Sequence, residues 1–265
     1  MQVQKITKHL VNWLKVYSEK SHTKGFVIGV SGGIDSALTS KLCALTELPV
    51  ICVDMPIYQA QNQIDRAHAH IKWLQQSHQN VRFEKVSLTE VYNGLITALP
   101  KVENEAIRVM ALVNSRARLR MTTLYYFAGL HNYLVAGTGN KIEDFGVGFF
   151  TKYGDGGVDL SPIADLTKTE VYTLARHLGV NQAIISAPPT DGLWGDDRTD
   201  EDQLGASYPE LEWAMNVHNQ NFKPTDFKGR QRAVLTIYTK LHQANKHKME
   251  PIPVCLIPKE YKQSL

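Results

Sequence analysis

The fold is decided by the stretch Phe26-Val-Ile-Gly-Val-Ser-Gly-Gly-Ile-Asp-Ser-Ala-Leu-Thr-Ser40. Its first five residues are apolar or small, and apolar residues with helical spacing resume only after Ser31-Gly32-Gly33. This pattern predicts a buried strand, a tight glycine turn and the N-terminus of a helix that runs to about residue 46. Adjacent glycines let backbone N–H groups approach a ligand, and a helix N-terminus carries partial positive charge. The stretch therefore predicts an anion site, and a phosphate suits it.

The loop differs from two common phosphate-binding motifs. A Walker A loop needs a lysine directly after its last glycine, but Ile34 follows Gly33, and the glycines lack the G-x-G-x-x-G spacing of a dinucleotide fingerprint. Asp35 stands among the donors, where a bare carboxylate would repel phosphate, and a bridging Mg²⁺ reconciles the two. The pattern Ser-Gly-Gly-x-Asp-Ser after a strand resembles the pyrophosphate loop of the ATP pyrophosphatases, which adenylate their substrates.

The composition is that of an ordinary globular protein. The chain has 265 residues, of which 43% are hydrophobic, and this is enough for a substantial core. Cys43, Cys52 and Cys255 form no C-x-x-C pattern, which indicates neither a disulfide framework nor a zinc site. No stretch approaches the ~20 apolar residues of a membrane span. The net charge of +3 is too small to indicate nucleic-acid binding, so we expect a reduced, cytoplasmic protein that binds neither membrane nor nucleic acid.

The order of the predicted elements indicates an α/β fold. Short apolar strands are predicted at 26–30, 49–54, 81–86 and 133–136, and they alternate with helices at 3–19, 35–46, 60–76 and 103–131. Such alternation predicts a doubly wound parallel sheet with flanking helices, Rossmann-like, with ligands beyond the carboxyl ends of the strands. Asp54, at the end of the second strand, is expected near that crevice. Without an internal repeat or composition shift, we expect a single domain over residues 1–265.

The segment 103–131 is the longest periodic stretch of the chain. Its apolar residues leave no clean polar face, so the predicted helix needs more than one packing partner. We expect one side to be buried against a second subunit, in a homodimer. The segment also carries three arginines, of which Arg116 and Arg120 share one face while Arg118 points elsewhere.

Several further motifs resemble ammonia-dependent NAD synthetase. They are Gly137-Thr-Gly-Asn140 with Glu143, Gly148-Phe-Phe-Thr-Lys152-Tyr-Gly-Asp155-Gly-Gly-Val-Asp159, Leu166-x-Lys168, Pro188-Pro-Thr190 and His247-Lys248. With the glycine loop and the arginine segment, they cover most of the chain in the family's order. That family has an adenine nucleotide alpha hydrolase-like fold. It condenses ATP, nicotinic acid adenine dinucleotide (deamido-NAD) and ammonia into NAD through an adenylated intermediate, releasing AMP and pyrophosphate.

The resemblance implies a role for each matching residue. It implies ATP contacts for Gly29, Val30, Ser31, Gly32, Gly33, Ile34, Asp35, Ser36, Thr138, Lys168 and Thr190, Mg²⁺ ligands in Asp35 and Glu143, and deamido-NAD contacts for Arg118, Lys152, Asp159, His247 and Lys248. Asp155 and Lys168 are the implied catalytic residues, Lys168 supplying positive charge where the α-phosphate develops negative charge. Lys168 also follows Thr167 in a capping box, at a position where its charge opposes the helix dipole, and this too indicates function.

Some positions depart from the family pattern. Thr138-Gly-Asn stands where many relatives have Thr-Asp-His, Arg116 where glutamine is frequent and Met249 where arginine is frequent. The stretch Asp191-Gly-Leu-Trp194 resembles a minority branch of the family. These departures leave the reaction intact and bear on the substrate contacts.

Two other functions fit the glycine loop. One is another adenylating ATP pyrophosphatase, such as a transfer-RNA-modifying sulfur or lysine ligase, but such enzymes need reactive cysteines or a basic RNA-binding appendage. The other is a nucleotide-binding regulator without catalysis, which the joint presence of Asp35, Glu143 and Lys168 disfavours. We further expect residues 190–200, with Trp194, to form a lid over ATP. Ammonia rather than glutamine is the expected nitrogen donor, because no cysteine lies in surroundings that would activate a nucleophile.

Overall fold

The computed structural model describes residues 1–190 and 199–262. Within them, a four-stranded parallel sheet has the order β3-β2-β1-β4. Its strands are Phe26–Gly29 (β1), Val50–Asp54 (β2), Val81–Lys85 (β3) and Leu134–Val135 (β4). Ala136 adds an isolated parallel bridge to Leu160 beyond β4. The predicted α/β fold with a parallel sheet is confirmed.

Helices connect and flank the strands. The described α-helices are Val3–Lys20 (α1), Ile34–Ala44 (α2), Gln61–Ser77 (α3), Thr89–Ala98 (α4), Glu105–His131 (α5), Lys168–His177 (α6), Gln182–Ile185 (α7), Asp200–Leu204 (α8), Tyr208–Asn219 (α9) and Gly229–Met249 (α10). A π-helix spans Lys141–Val147, and 3₁₀ turns span Pro224–Asp226 and Lys259–Lys262. The sequence predicted neither α4 nor α7 nor the π-helix.

The sheet is covered on both faces. Phe26 and Ile28 of β1 face a core shared with α1, α2, α3 and α6. Val27, between them, faces the opposite core with α4 and α5. Alternation of this kind in an entirely apolar strand is typical of a parallel sheet with helices on both sides, which is the doubly wound arrangement predicted.

A further apolar core lies outside the sheet layers. It is formed by residues of the π-helix, α9 and α10, with Tyr208 and Tyr238 among its fully or nearly fully buried side chains. This core supports the π-helix from behind and so fixes the backbone that carries Glu143.

Three of the predictions concern this part of the molecule. Helix α10 continues to Met249, so His247 and Lys248 lie in its last turn. Helix α5 exposes apolar side chains on one side, among them Ile107 (65% exposed) and Tyr126 (64%). Most of the predicted lid, residues 191–198 with Trp194, lies outside the described residues. None of the helices in the described ranges is long and apolar enough to cross a membrane.

Candidate active site

The glycine loop between β1 and α2 is closed by its own serines. The Ser31 N–H donates to Ser36 Oγ at 3.2 Å, and the Gly33 N–H donates to Ser31 Oγ at 3.2 Å. Gly32 has a φ of +82°, and a Cβ at this position would lie 2.5 Å from the carbonyl oxygen of Gln63. Only glycine fits there, which explains the sharp reversal from strand to helix. The N-terminus of α2 follows directly and faces a cleft.

This cleft lies at the carboxyl ends of the strands and has a volume of about 250 Å³. Its lining includes Gly29, Val30, Ser31, Gly32, Gly33, Ile34, Asp35, Ser36, Asp54, Thr138, Glu143, Asp155, Lys168 and Thr190. Every residue that the sequence assigned to ATP, to the metal or to catalysis therefore borders one cavity, and Asp54 is near the crevice as expected. The fold brings them together because parallel strands end at the same edge of the sheet.

Lys168 joins two carboxylates at the base of the cleft. Its Nζ lies 2.7 Å from Asp35 Oδ2 and 2.9 Å from Glu143 Oε1. Only 3% of the lysine side chain is exposed, and the carboxylates are 17% and 15% exposed. The capping box of Thr167 and Glu170 holds Lys168 at the first position of α6, so its ammonium is aimed by the helix start. We name Asp35, Glu143 and Lys168 the charge cluster.

Burial and ion pairing act in opposite directions on the charge cluster. Burial, the larger effect, disfavours ionisation of both carboxyls, while the Lys168 ammonium favours it. The balance leaves the pKa of Asp35 above its ordinary value and the pKa of Glu143 below it. Burial alone would lower the pKa of Lys168, but the two carboxylates hold it well above its usual range. Lys168 is therefore a permanent cation at this edge of the cleft.

Asn140 is a site residue that sequence reasoning missed. It is completely buried, and its Oδ1 accepts from the N–H groups of Ile142 and Glu143 at 3.1 Å each. Its Nδ2 donates to Asp35 Oδ1 at 3.2 Å. Asn140 thus starts the π-helix and orients Asp35 with the same amide. A signal existed, because an asparagine three residues before a glutamate is a helix-start pattern.

Two aspartates follow Glu143 around the cleft. Asp144, also missed, has its pKa raised to about 8 by burial and then by the charges of Glu143, Asp155 and Asp35. Asp155 accepts from the Thr151 N–H at 3.0 Å through Oδ1. The protein packed around it raises the pKa of Asp155 to about 6, although the residue remains open to solvent in the cleft.

A second charged region, which we name the basic rim, consists of Arg118, Lys152, His247 and Lys248. Arg118 Nη2 donates to the Lys152 carbonyl at 3.3 Å, and Lys152 Nζ donates to the His247 carbonyl at 2.8 Å. Lys248 Nζ donates to the carbonyls of Gly148 and Phe150. The fold therefore gathers residues from α5, from the loop after the π-helix and from the end of α10. None of these four borders the cleft itself.

Asp159 lies apart from the basic rim. Its Oδ1 accepts from the Tyr125 hydroxyl at 2.9 Å, and its Oδ2 accepts from the Val135 N–H at 2.8 Å. Here its carboxylate ties α5 to β4. The predicted contact of Asp159 with a dinucleotide stays a prediction.

The donor set of the charge cluster fits a magnesium ion that is shared with phosphates. Asp35 and Glu143 already aim their oxygens at one cation, the Lys168 ammonium. Across residues 1–190 and 199–262, no group of three or more Asp, Glu, His or Cys is placed to hold a metal by itself. Two carboxylates completed by substrate phosphates and water are a normal environment for Mg²⁺.

Comparison with known proteins gives one consistent picture. Residues 6–252 match the family model described as NAD synthase. The NH₃-dependent NAD⁺ synthetase of Carboxydothermus hydrogenoformans is 40% identical over 223 residues, which are 83% of this chain and 88% of that protein.

Two solved structures share the fold over nearly the whole chain. An NMN synthetase from Francisella tularensis has a TM-score of 0.81 at 29% identity, covering 97% of this chain and 99% of its own. An NH₃-dependent NAD synthetase from Campylobacter jejuni has a TM-score of 0.77 at 25% identity, covering 97% and 100%. Both show that this fold is shared over almost the full length of each chain.

Proposed function

The chain belongs to the NAD synthase family, and from this premise we propose that it condenses deamido-NAD, ATP and ammonia into NAD, AMP and pyrophosphate. The observation that carries the proposal is the meeting of the phosphate loop, the charge cluster and Asp155 around one cleft. That arrangement supplies a seat for phosphates beside a fixed cation, which is what an adenylating enzyme needs.

The reaction has two steps, adenylation of the carboxylate and formation of the amide. A carboxylate oxygen of deamido-NAD attacks the α-phosphorus of ATP, the α–β phosphoanhydride bond breaks and pyrophosphate leaves. Ammonia then attacks the carboxyl carbon, AMP leaves and the new amide nitrogen loses a proton. Activation is required because a free carboxylate has no good leaving group.

The residues of the cleft take roles in the first step. The loop from Gly29 to Ser36 holds the β- and γ-phosphates, through backbone N–H groups and the positive end of α2. Thr138 and Thr190 also line the cleft and contact ATP. Lys168 stabilises the negative charge that develops at the α-phosphate, by exchanging a carboxylate partner for a phosphate oxygen.

We propose Mg²⁺ as the metal, held by Asp35 and Glu143. When bound, it screens the phosphates from these two carboxylates and draws electron density from the departing pyrophosphate. The support is the convergence of both carboxylates on one cation position within 2.9 Å.

Asp155 is proposed to serve the second step. Its carboxylate lies in the cleft and accepts the proton that the attacking nitrogen loses. A pKa of about 6, raised by the surrounding protein, leaves it ionised at neutral pH, so that it acts as a base.

The basic rim is proposed to bind the phosphates of deamido-NAD, together with a contribution from Asp159. Its cations now donate to backbone carbonyls, and Arg118 and His247 are exposed. Anionic phosphates are better partners than neutral carbonyls, so the substrate displaces these bonds.

Three further features belong to the proposal. The enzyme is a homodimer that buries the exposed apolar side of α5, it works in the cytoplasm, and residues 1–265 form a single domain. A stable obligate interface of this kind exceeds ~2,000 Å². Light scattering at micromolar concentration should give twice the chain mass, and a fully active monomer would contradict the dimer.

A second candidate is amidation of the corresponding mononucleotide, which would yield NMN. The likeness to an NMN synthetase, at a TM-score of 0.81 and 29% identity, favours it. The cysteine-dependent alternative is not favoured, because burial raises the pKa of the Cys43 thiol and raises that of Cys52 to about 12. Neither thiol is therefore available as a thiolate.

One assay separates these functions. The protein is incubated with ATP, Mg²⁺, ammonium and either deamido-NAD or the deamidated mononucleotide, and the products are quantified. We expect NAD with equimolar AMP and pyrophosphate, and a higher kcat/KM for the dinucleotide. A higher kcat/KM for the mononucleotide would establish the second candidate, and no amide from either would refute both. Glutamine in place of ammonium should give no product.

A further inference from the structure

Tyr208 lies behind the charge cluster, and no motif of the sequence pointed to it. It is the first residue of α9 and is 3% exposed. Its hydroxyl donates to Glu143 Oε1 and lies 3.2 Å from Asp200 Oδ2. Its ring faces Lys168, whose Nζ is 4.6 Å from the ring centre. One side chain thus contacts both the glutamate and the lysine of the cluster.

Helix α8 fixes Tyr208 at both ends. The Tyr208 backbone N–H donates to Glu201 Oε1 at 2.8 Å, and Asp200 meets the hydroxyl. The capping box of Ser207 and Glu210 sets the start of α9. Because the backbone and the hydroxyl are both held, the phenol has little freedom to turn away from Glu143.

The direction of the hydroxyl proton matters. A phenol has one proton, and two carboxylates compete for it. The contact with Glu143 is much the shorter of the two, so the proton is donated there. A hydrogen bond to an ionised carboxylate is stronger than a neutral one, so it fixes the Oε1 end of the Glu143 carboxylate.

We propose that Tyr208 is a positioning residue, which holds the Glu143 carboxylate in the orientation that binds the metal–ATP complex while its ring steadies Lys168. This proposal rests on the proposed function only in assigning Glu143 to the metal. Its action passes through Glu143, so Tyr208 itself touches no substrate. Carboxylates that hold metals commonly need such a partner, and its loss typically costs 10- to 100-fold in metal affinity.

The test compares Tyr208→Phe with Tyr238→Phe. Each variant removes one hydroxyl from the same buried core and keeps the ring, but Tyr238 contacts no member of the charge cluster among the described residues. The first readout is Mn²⁺ affinity, measured by electron paramagnetic resonance with α,β-methylene ATP, which cannot be cleaved. We expect about tenfold weaker binding for Tyr208→Phe and no change for Tyr238→Phe. This measurement needs no turnover, so it tests Tyr208 even if the protein does not catalyse the proposed reaction.

The second readout is steady-state kinetics. Tyr208→Phe should raise the Mg²⁺ concentration for half-maximal rate about tenfold while the KM for ammonia changes less than about twofold. Unchanged Mn²⁺ affinity, or equal losses in both variants, would overturn the proposal.

A double variant checks that the effect passes through Glu143. If it does, adding Tyr208→Phe to Glu143→Gln weakens Mn²⁺ binding no further. Additive losses, or no effect of Glu143→Gln alone, would contradict the proposal.

A measurement without any change at position 208 covers the case in which Tyr208→Phe does not fold. In protein labelled with ¹³Cζ-tyrosine, the Tyr208 resonance should move in Glu143→Gln and stay in place in Glu105→Gln, an exposed glutamate on α5. An unmoved resonance in Glu143→Gln would overturn the proposal.

Discussion

The charge cluster and the basic rim hold their charges in opposite ways. In the cluster, a lysine that is 3% exposed pairs with two carboxylates within 2.9 Å. In the rim, Arg118, Lys152 and Lys248 donate to backbone carbonyls, and two of the four residues are exposed. In the charge cluster the cation already has anionic partners without substrate. In the basic rim the partners of the cations are neutral.

This difference indicates that the charge cluster is formed when the protein folds, whereas the basic rim is available to bind substrate. Buried ions must be matched in the folded protein, since an unpaired buried charge is costly. In the proposed ATP site, the charges are therefore already paired before any ligand binds. Exposed cations need no such match, and they can exchange a carbonyl for a phosphate at little cost. We expect changes in the cluster to affect turnover and stability together, and changes in the rim to affect substrate binding alone.

Removal of the central cation should have the largest effect. Lys168→Met leaves Asp35 and Glu143 facing each other, so we expect a loss of turnover on the order of 10³-fold and destabilisation by about 3 kcal/mol. Thermal or urea unfolding gives the second quantity. Lys141→Met is the control, because its partner Asp165 is 97% exposed, and it should cost less than about 1 kcal/mol. Equal destabilisation by both variants would remove the distinction between buried and exposed pairs.

Neutralising either carboxylate should stop turnover with less damage to the fold. Asp35→Asn and Glu143→Gln each remove a proposed ligand while Lys168 keeps one carboxylate, so we expect a loss of about 100-fold or more in rate. Asn is tolerated at 35 because burial already raises the pKa of Asp35 and disfavours its charge. Circular dichroism and assays across Mg²⁺ concentrations check both parts. Near-normal activity at low Mg²⁺ would show that the metal is held elsewhere.

The pH dependence tests Asp155, which lies between the two regions. Its pKa is raised to about 6, so the carboxylate form dominates only above that pH. The rate at a fixed concentration of free ammonia should rise as pH increases through about 6 and then level off. Asp155→Asn should be slow at every pH and lose this step. Because the pKa is higher in the folded protein than in the unfolded chain, ionisation of Asp155 slightly lowers the free energy of unfolding above pH 6. Asp155→Asn should therefore be at least as stable as the wild type above that pH. A wild-type profile without the step would exclude Asp155 as the base.

The smallest effects are expected at the rim. Lys152→Ala removes one cation of the rim, and the KM for deamido-NAD should rise about tenfold while kcat changes less than about threefold. Arg118→Ala should behave alike, and the free energy of unfolding should stay within ~0.5 kcal/mol. Lys240→Ala, an exposed lysine on α10 outside the rim, is the control and should leave KM unchanged. A large fall in kcat for Lys152→Ala would place the rim in the chemistry.

Local patterns were enough to predict the glycine loop at the carboxyl end of β1. The strand, the glycine turn and the start of α2 are adjacent in sequence, so their order follows from local rules. Thr138 and Lys168 were assigned only through the family resemblance, and the fold places both at the same cleft. The capping box at Thr167 located the start of α6 correctly because its two residues are only three apart.

The rest depends on contacts that no local pattern encodes. Tyr208 reaches Glu143 across 65 positions, and the capping box at Ser207 indicates where α9 begins but not what the phenol touches. Asn140 and Glu143 indicate that a helix starts there, but no residue pattern distinguishes a π-helix from an α-helix, and this one is supported by packing against α9 and α10.

Adenylation of a carboxylate in the cleft is tested most directly by an isotope measurement. Deamido-NAD labelled with ¹⁸O in its carboxylate is converted with ATP and ammonia, and the products are analysed by mass spectrometry. If the carboxylate attacks the α-phosphorus, one ¹⁸O per turnover appears in AMP and none in pyrophosphate. If ¹⁸O appears instead in inorganic phosphate with release of ADP, or if AMP stays unlabelled while NAD accumulates, the cleft does not perform adenylation.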